Sequence, residues 1–386
     1  MNAYFASAAP GLEALVAQEL NGLGLLPEED LPRLSRLGLP SEDSGGVAFE
    51  GELEDLYRAN LHLRTASRVL VRLGVFYAAA FSELRKKAGR LAWERYLAPA
   101  QPVTLNVTCH KSRLYHSGAV AERVAGAIGD RLGQPAPVQK LSENEADLPA
   151  QLVVVRLVND HCTISIDSSG ALLHRRGYRQ ATAKAPVRET LAAAILLAAE
   201  WDQASPLLDP FCGSGTIAIE AAQMALGLPP GRSRHFAFMN WPGFDPGRWE
   251  ALLASSQSGP EGELPPILAS DRDAGAVLMA QANADRAGVG GHIQFSQRAV
   301  SAIESPASSG WVVTNPPYGI RASANKDLRN LYAQLGNVLR RQCPGWRVAI
   351  LSSDLKLLQH TGLRLDTSFS TVNGGVNVRL ARGRVE

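Results

Sequence analysis

From residue 186 onward, short apolar runs alternate with stretches of helical period, and this alternation narrows the fold more than any other feature of the chain. Leu207-Leu208-Asp209 ends a strand, and Thr216 to Leu226 reads as a helix. Ile267 to Asp271 is the next strand, followed by a helix to about Ala287. Ile293-Gln294-Phe295 and Trp311-Val312-Val313 are the third and fourth strands. Leu328 to Arg340 is helical, and Val348 to Leu351 is the fifth strand. Strand and helix in strict turn predict a parallel sheet covered by helices. The tail departs from that rule. A strand near 367–372, the turn Asn373-Gly374-Gly375 and a strand from Val376 to Leu380 predict an antiparallel hairpin at one edge.

The first 185 residues are organised differently. Tyr4 to Ser7 is a short strand, and Leu12, Leu15, Val16 and Leu20 share one helical face. Ser44-Gly45-Gly46 signals a turn before a strand at Val47-Ala48-Phe49. Leu53 to Ser67 reads as a helix, Arg68 to Leu73 and Pro102 to Thr108 as strands, and Ser117 to Leu132 as a helix. Leu152 to Val158 and Cys162 to Asp167 flank Asn159-Asp160, a two-residue hairpin turn. Residues 171–185 form a basic connector, and residues 227–264, rich in Pro, Gly and Trp, read as an insertion.

A chain of 386 residues exceeds one ordinary core, and 45% hydrophobic with 20% charged residues fits a globular protein. No apolar run reaches the roughly 18 residues that span a bilayer, and the N-terminus lacks a signal-peptide pattern, so a cytoplasmic protein is expected. Cys109, Cys162, Cys212 and Cys343 form no CxxC pair, and the histidines lack metal-ligand spacing, so no metal is expected. The net charge of +2 hides an asymmetry. Residues 1–60 carry 11 acidic and 3 basic side chains; residues 61–190 carry 19 basic and 10 acidic. A positive middle segment suits a phosphate-backbone partner.

Three sequence elements carry chemistry. Asp209-Pro210-Phe211-Cys212-Gly213-Ser214-Gly215-Thr216 joins a strand to a helix. Its glycines permit tight turning and close approach to a ligand, beside the free N–H groups of a helix start. Asp271 ends the next strand, where a carboxylate can accept both hydroxyls of a ribose. It lies 56 residues after Gly215, too far for the dinucleotide fingerprint, which argues against NAD. Thr314-Asn315-Pro316-Pro317-Tyr318-Gly319 ends the fourth strand. The Asn315 amide oxygen and the Pro316 carbonyl can each accept one N–H of an exocyclic amine, and Tyr318 can stack on a base.

In this order, DPFCGSGT, ASDRD and TNPPYG resemble class I methyltransferases that modify amino groups. The match is closest to bacterial large-subunit ribosomal RNA guanine-N2 methyltransferases and their tRNA relatives, supported by Arg175 to Arg179 and Ala185 to Ala194. The middle region resembles a THUMP RNA-binding domain through Lys111 to Tyr115 and Ser165 to Gly170. The resemblance implies an α/β fold. A ferredoxin-like α+β domain (1–65) and a THUMP domain (66–170) would precede a Rossmann-like methyltransferase domain (186–386). That domain would have a seven-stranded, mostly parallel sheet with an antiparallel terminal hairpin.

The resemblance also implies S-adenosylmethionine as cofactor, held by Asp209, Cys212, Gly213, Gly215, Thr216, Asp271, Arg272 and Asn315. Asn315, Pro316, Pro317 and Tyr318 would receive the target base. Lys111, Arg113, Arg175, Arg176 and Arg179 would contact RNA, with Arg85, Lys86 and Lys87 as further candidates. Many class I enzymes carry an Asp after the third strand for the cofactor's adenine. Here Phe295 to Val300 has no carboxylate, so backbone groups are expected to serve. The implied activity is methylation of guanine N2 by a monomer acting on ribosomal RNA in preference to tRNA. The motif alone also suits adenine-N6 and protein-glutamine methylation, and a non-catalytic RNA-binding protein is a further reading.

Overall fold

A computed structural model describes residues 1–30, 45–140, 150–180, 187–256, 264–318 and 328–386. Ser44, Ala185, Pro186 and Gly319, each part of a motif above, lie outside the described residues. The chain divides into two compact units. The first comprises Met1–Ala8, Val16–Leu173 and Arg234–Ala254; the second comprises Ala9–Leu15, His174–Ser233 and Ser255–Glu386. No helix among the described residues is long and apolar enough to cross a membrane.

The first unit is built on one six-stranded sheet. Its strands are β1 (Asn2–Ala8), β2 (Gly46–Gly51), β3 (Ala66–Tyr77), β4 (Val103–His110), β5 (Gln151–Val158) and β6 (His161–Asp167), in the order β2-β1-β3-β6-β5-β4. Among its described strands, only β4 and β5 pair in parallel. The two front regions of the sequence therefore share one sheet and one core. The β5–β6 turn places Asn159 at φ 51° and Asp160 at φ 65°, the left-handed pair that a two-residue hairpin needs.

One boundary differs from the sequence expectation. The helix from Leu53 stops at His62, and β3 starts at Ala66 and runs to Tyr77. The Glu19 carboxylate accepts the backbone N–H of Arg64 at 2.7 Å and of Thr65 at 3.0 Å, and also takes the Thr65 hydroxyl. Those donors are thereby drawn away from a continuing helix.

The aromatic part of residues 227–264 belongs to the first unit. Phe238 is fully buried, stacks on Tyr57 at 4.5 Å and on Phe236 at 5.2 Å, and meets Trp249 edge-on at 5.5 Å. The Trp241 indole donates to Gln151 Oε1 at 2.9 Å, and the Phe238 N–H donates to the Ser168 carbonyl at 3.1 Å. This segment supplies the unit with core that its own stretch of sequence lacks.

The second unit holds β7 (Leu207–Asp209), β8 (Ile267–Asp271), β9 (Gln294–Gln297), β10 (Trp311–Thr314), β11 (Arg347–Ser352), β12 (Leu365–Asn373) and β13 (Val376–Arg384). The order is β12-β13-β11-β10-β7-β8-β9. Strands β7 to β11 pair in parallel; β13 runs antiparallel to both β11 and β12. This is the expected mostly parallel seven-stranded sheet with its terminal hairpin. The order reverses between β7 and β10, and a sheet of this kind offers its ligand crevice at the carboxyl ends of the strands there.

Phe238→Ala should destabilise the protein by about 3–5 kcal/mol, the usual range for deleting a buried aromatic side chain. Urea unfolding followed by circular dichroism measures it. A loss below about 1 kcal/mol would mean that the 234–254 segment is not integral to the first core.

Candidate active site

Strands β7 and β10 end side by side, and each delivers one half of the site. The Thr314 hydroxyl donates to Asp209 Oδ1 at 2.6 Å, joining the two strand ends through buried side chains. The Phe211 N–H donates to the same oxygen at 3.2 Å. Asp209 is 1% exposed. Burial pushes its carboxyl up to about 7, against the Thr314 and Phe211 donors, and nearby Asp271 adds to the rise.

The glycine-rich turn is fixed at both ends. The Cys212 N–H donates to the Ser270 carbonyl at 3.0 Å, and the Gly213 N–H donates to Asp271 Oδ2 at 3.1 Å. Gly215 has φ +83°, and a Cβ there would stand 2.9 Å from the Ala280 Cβ, so only glycine fits. Gly213 has φ +53°, and its Cβ position faces open space. One glycine closes the turn onto the helix Ala274–Arg286; the other leaves room above the backbone.

Asp271 is not the cap of the helix that follows it. Asp273 takes that role, accepting from Gly275 and Ala276 N–H at 2.8 and 3.3 Å. Asp271 instead accepts one backbone N–H on each oxygen, from Gly213 and Asp273, and keeps further lone pairs. Arg272 beside it is exposed. After β9 the chain ties back here: Arg298 N–H donates to the Asp271 carbonyl at 2.9 Å, and Gln297 Nε2 to the Arg272 carbonyl at 3.3 Å.

The second half of the site is the Asn-Pro-Pro-Tyr loop. The Asn315 side-chain oxygen is buried and has no hydrogen-bond partner among the described residues. A buried acceptor left unmet costs about 1–3 kcal/mol, so a donor beyond the described residues is favoured there. The loop around it is held by residues to which the sequence attached no role. Tyr332 donates to the Pro317 carbonyl at 3.3 Å, and Asn373 Nδ2 donates to the Tyr318 hydroxyl at 3.3 Å. Burial pushes the Tyr332 phenol up to about 12 and raises that of Tyr318, so both stay neutral.

Three expected contacts need correction. Thr216 is buried and its hydroxyl accepts from Arg179 at 3.1 Å, so it faces the interior and not a ligand. Arg179 also pairs with Glu189 at 3.1 Å, and Arg176, with a side chain 2% exposed, faces Glu220 at 3.6 Å. Tyr178 donates to the same Glu220 at 3.2 Å. Arg176 and Arg179 are thus interior ion-pair residues, unavailable to phosphates. Arg175 is half-buried, whereas Lys111 and Arg113 are exposed. Cys212 is buried, and burial raises its thiol pKa, so it is a neutral wall of the turn.

Asn283 is a residue the sequence reading missed. Its amide donates to the Ser214 carbonyl at 3.1 Å and so braces the turn from behind. A single Asn on an otherwise apolar helix face was the available signal.

Against known families, residues 176–382 match the model described as RMKL-like, methyltransferase domain. The chain belongs to the RMKL-like methyltransferase family. Within this family assignment, residues 34–70 match an RlmL ferredoxin-like domain and residues 78–167 a THUMP domain. A Synechocystis protein named "Putative RNA methyltransferase slr0064" is 36% identical, over 98% of this chain and 96% of its own length. The ribosomal RNA large subunit methyltransferase K/L of Syntrophotalea carbinolica is 34% identical, over 98% of this chain and 53% of its own length. This chain spans about half the length of the K/L relatives it matches. Among solved structures, SMU.472, in complex with SAH, superposes with a TM-score of 0.84 at 29% identity, covering 100% of this chain and 98% of its own. A Listeria monocytogenes protein titled "predicted N6-adenine-specific DNA methylase" superposes at 0.83 with 33% identity, covering 98% and 95%.

The cofactor of this methyltransferase is S-adenosylmethionine. The residues present fit it. The open side of Gly213 admits a ligand against the backbone, and Asp271 retains acceptor capacity at the strand end. S-adenosylmethionine carries a net positive charge, so ionised Asp209 attracts it and neutral Asp209 does not. Its dissociation constant, measured by titration calorimetry, should therefore fall as pH rises from 6 to 8 through the Asp209 value of about 7. Asp209→Asn should flatten that dependence, and an unchanged slope in the variant would remove Asp209 as its source.

Proposed function

We propose that this methyltransferase acts on RNA and transfers a methyl group to the exocyclic N2 of a guanine, with large-subunit ribosomal RNA as its substrate. The buried Asn315 oxygen, which lacks a partner among the described residues, carries the reading. It marks a place for an N–H donor at the end of β10, next to the turn assigned to the cofactor. The THUMP match and the names of the K/L and Synechocystis relatives support RNA, and the K/L name supports the large ribosomal subunit.

The proposed chemistry is one of positioning. When bound, S-adenosylmethionine supplies an electrophilic methyl group. Asp271 accepts from the ribose, Cys212, Gly213 and Gly215 form the floor beneath it, and Arg272 lies beside the adenine. Asn315 Oδ1 and the Pro316 carbonyl accept the two N–H bonds of the target amine. Two acceptors on one nitrogen favour a pyramidal geometry, which frees the lone pair for attack. Tyr318, fixed by Asn373, offers a ring face to the flipped or unpaired base. The proline pair makes the loop stiff, so little order must be gained on binding. A guanine reaches this pocket from a single-stranded loop more readily than from a duplex, because unstacking is then already complete.

Asn315→Ala should lower kcat by about 10²–10³-fold, the scale for removing one preorganised hydrogen-bonding group, while the affinity for S-adenosylmethionine stays within a few-fold. Wild-type turnover in the variant would overturn the assignment. Nucleoside mass spectrometry of RNA with and without the gene decides the base and the pool. Loss of N2-methylguanosine from large-subunit ribosomal RNA is expected. Loss from tRNA would move the substrate, and loss of N6-methyladenosine would replace guanine by adenine.

A further inference from the structure

The middle of the glycine-rich turn is held by side chains, and the contacts lead back to the connector. The Ser214 carbonyl accepts the Asn283 amide N–H at 3.1 Å, and Asn283 is fully buried. The Asn283 oxygen accepts from the Arg286 guanidinium, whose Nε donates to the Tyr178 carbonyl at 2.9 Å. Together the two partners fix which way the amide points. Turned over, it would set oxygen against carbonyl and NH2 against guanidinium. The next connector residue reaches the far side of the turn. Arg179 donates to the Thr216 hydroxyl at 3.1 Å and pairs with Glu189 at 3.1 Å. All of these residues belong to the second unit.

Tyr178 and Arg179 thus brace Ser214 and Thr216, the two neighbours of Gly215, by separate routes. The strand ends hold the front of the turn, through Cys212 to Ser270 and Gly213 to Asp271. Glycines at 213 and 215 let the backbone between them rotate at little cost, so its orientation must come from its contacts. The Ser214 carbonyl and the Gly215 N–H lie in one rigid peptide plane. Asn283 pins one edge of that plane; the Cys212 carbonyl pins the other, accepting the Gly215 N–H at 2.8 Å. Loss of the Asn283 contact would leave the plane held at one edge only, beside the open side of Gly213. Arg286 is the exposed member of this set. Its planar guanidinium spans two acceptors on different segments, the Tyr178 carbonyl and the Asn283 amide.

We propose that Arg286 is a positioning residue for S-adenosylmethionine, clamping the glycine turn to the connector through Asn283 and the Tyr178 carbonyl. The inference rests on the assignment of that turn as the cofactor's seat. It adds a residue that touches neither the cofactor nor the reacting atoms. The clamp orders the turn before the cofactor arrives, so less order must be gained on binding. The connector thereby contributes to cofactor affinity without a side chain of its own on the cofactor.

The test compares the full-length chain with Arg286→Met and Arg286→Lys. It measures calorimetric affinity for S-adenosylmethionine, and hydrogen–deuterium exchange of residues 212–216 in the cofactor-free protein. Arg286→Met should weaken binding at least about ten-fold and speed exchange at the turn. Charge alone predicts the reverse, since removing a cation should tighten the binding of a cationic ligand. Arg286→Lys, which keeps the charge and a donor but not the planar fork, should recover part of the affinity. Unchanged exchange at the turn in Arg286→Met overturns the clamp and leaves the assignment of the turn standing. Faster exchange with wild-type affinity removes the turn as the cofactor's seat, and the proposal with it. Exchange that rises evenly through the second unit makes Arg286 a general stabiliser and also overturns the proposal. If Arg286→Met fails to fold by circular dichroism, Arg286→Gln carries the same measurements.

Discussion

The hydrogen bond from Thr314 to Asp209 joins the two strands between which the order of the second sheet reverses. Everything in the site is placed relative to it. Strand β7 ends at Asp209 and leads into the glycine turn; β10 ends at Thr314 and leads into the Asn-Pro-Pro-Tyr loop. Because both side chains are buried, neither oxygen can relax toward water, and the two strand ends are held at fixed separation. Burial also raises the Asp209 carboxyl to about 7, which leaves it poised between neutral and charged near physiological pH. A group in that condition responds strongly to a cationic neighbour, which suits a site for a sulfonium cofactor.

The parts of this site that were legible in the sequence are those whose function depends on local backbone. Glycines at 213 and 215 announce a turn with positive φ, and both adopt it. The consecutive prolines announce a rigid loop that ends a strand. Asp271 could be separated from a helix cap only in three dimensions, where Asp273 two residues on does the capping. The bracing groups were not legible. Asn283, Tyr332 and Asn373 lie 69, 15 and 55 residues from the residues they bond, Ser214, Pro317 and Tyr318 respectively, and no spacing rule links such positions.

Charge misled the reading for a physical reason. Sequence gives the sign of Arg176 and Arg179 but not their solvent exposure, and their partners are hidden in apolar helices. Glu220 is the one charged residue in the helix Thr216–Ala225, whose every residue is buried. An acid so placed requires a cation, and the connector supplies it. Removing one partner of such a pair leaves an uncompensated interior charge at a cost of about 3–5 kcal/mol. The arginine cluster thus helps to hold the connector against the helix that starts at the glycine turn. The aromatic run 236–249 was opaque for a related reason: it reads as an insertion within one region, yet its rings complete the core of the other unit.

Stability and chemistry pull against each other at Asn315. Among the described residues its amide oxygen is buried without a partner, while the carbonyl of Pro317 and the hydroxyl of Tyr318, further along the same loop, are satisfied. Among the described residues the bracing thus goes to the orientation of the loop, and one acceptor stays unmet. That division is what a site complementary to a substrate amine requires, since an acceptor already bonded within the protein would have to exchange one partner for another and gain little.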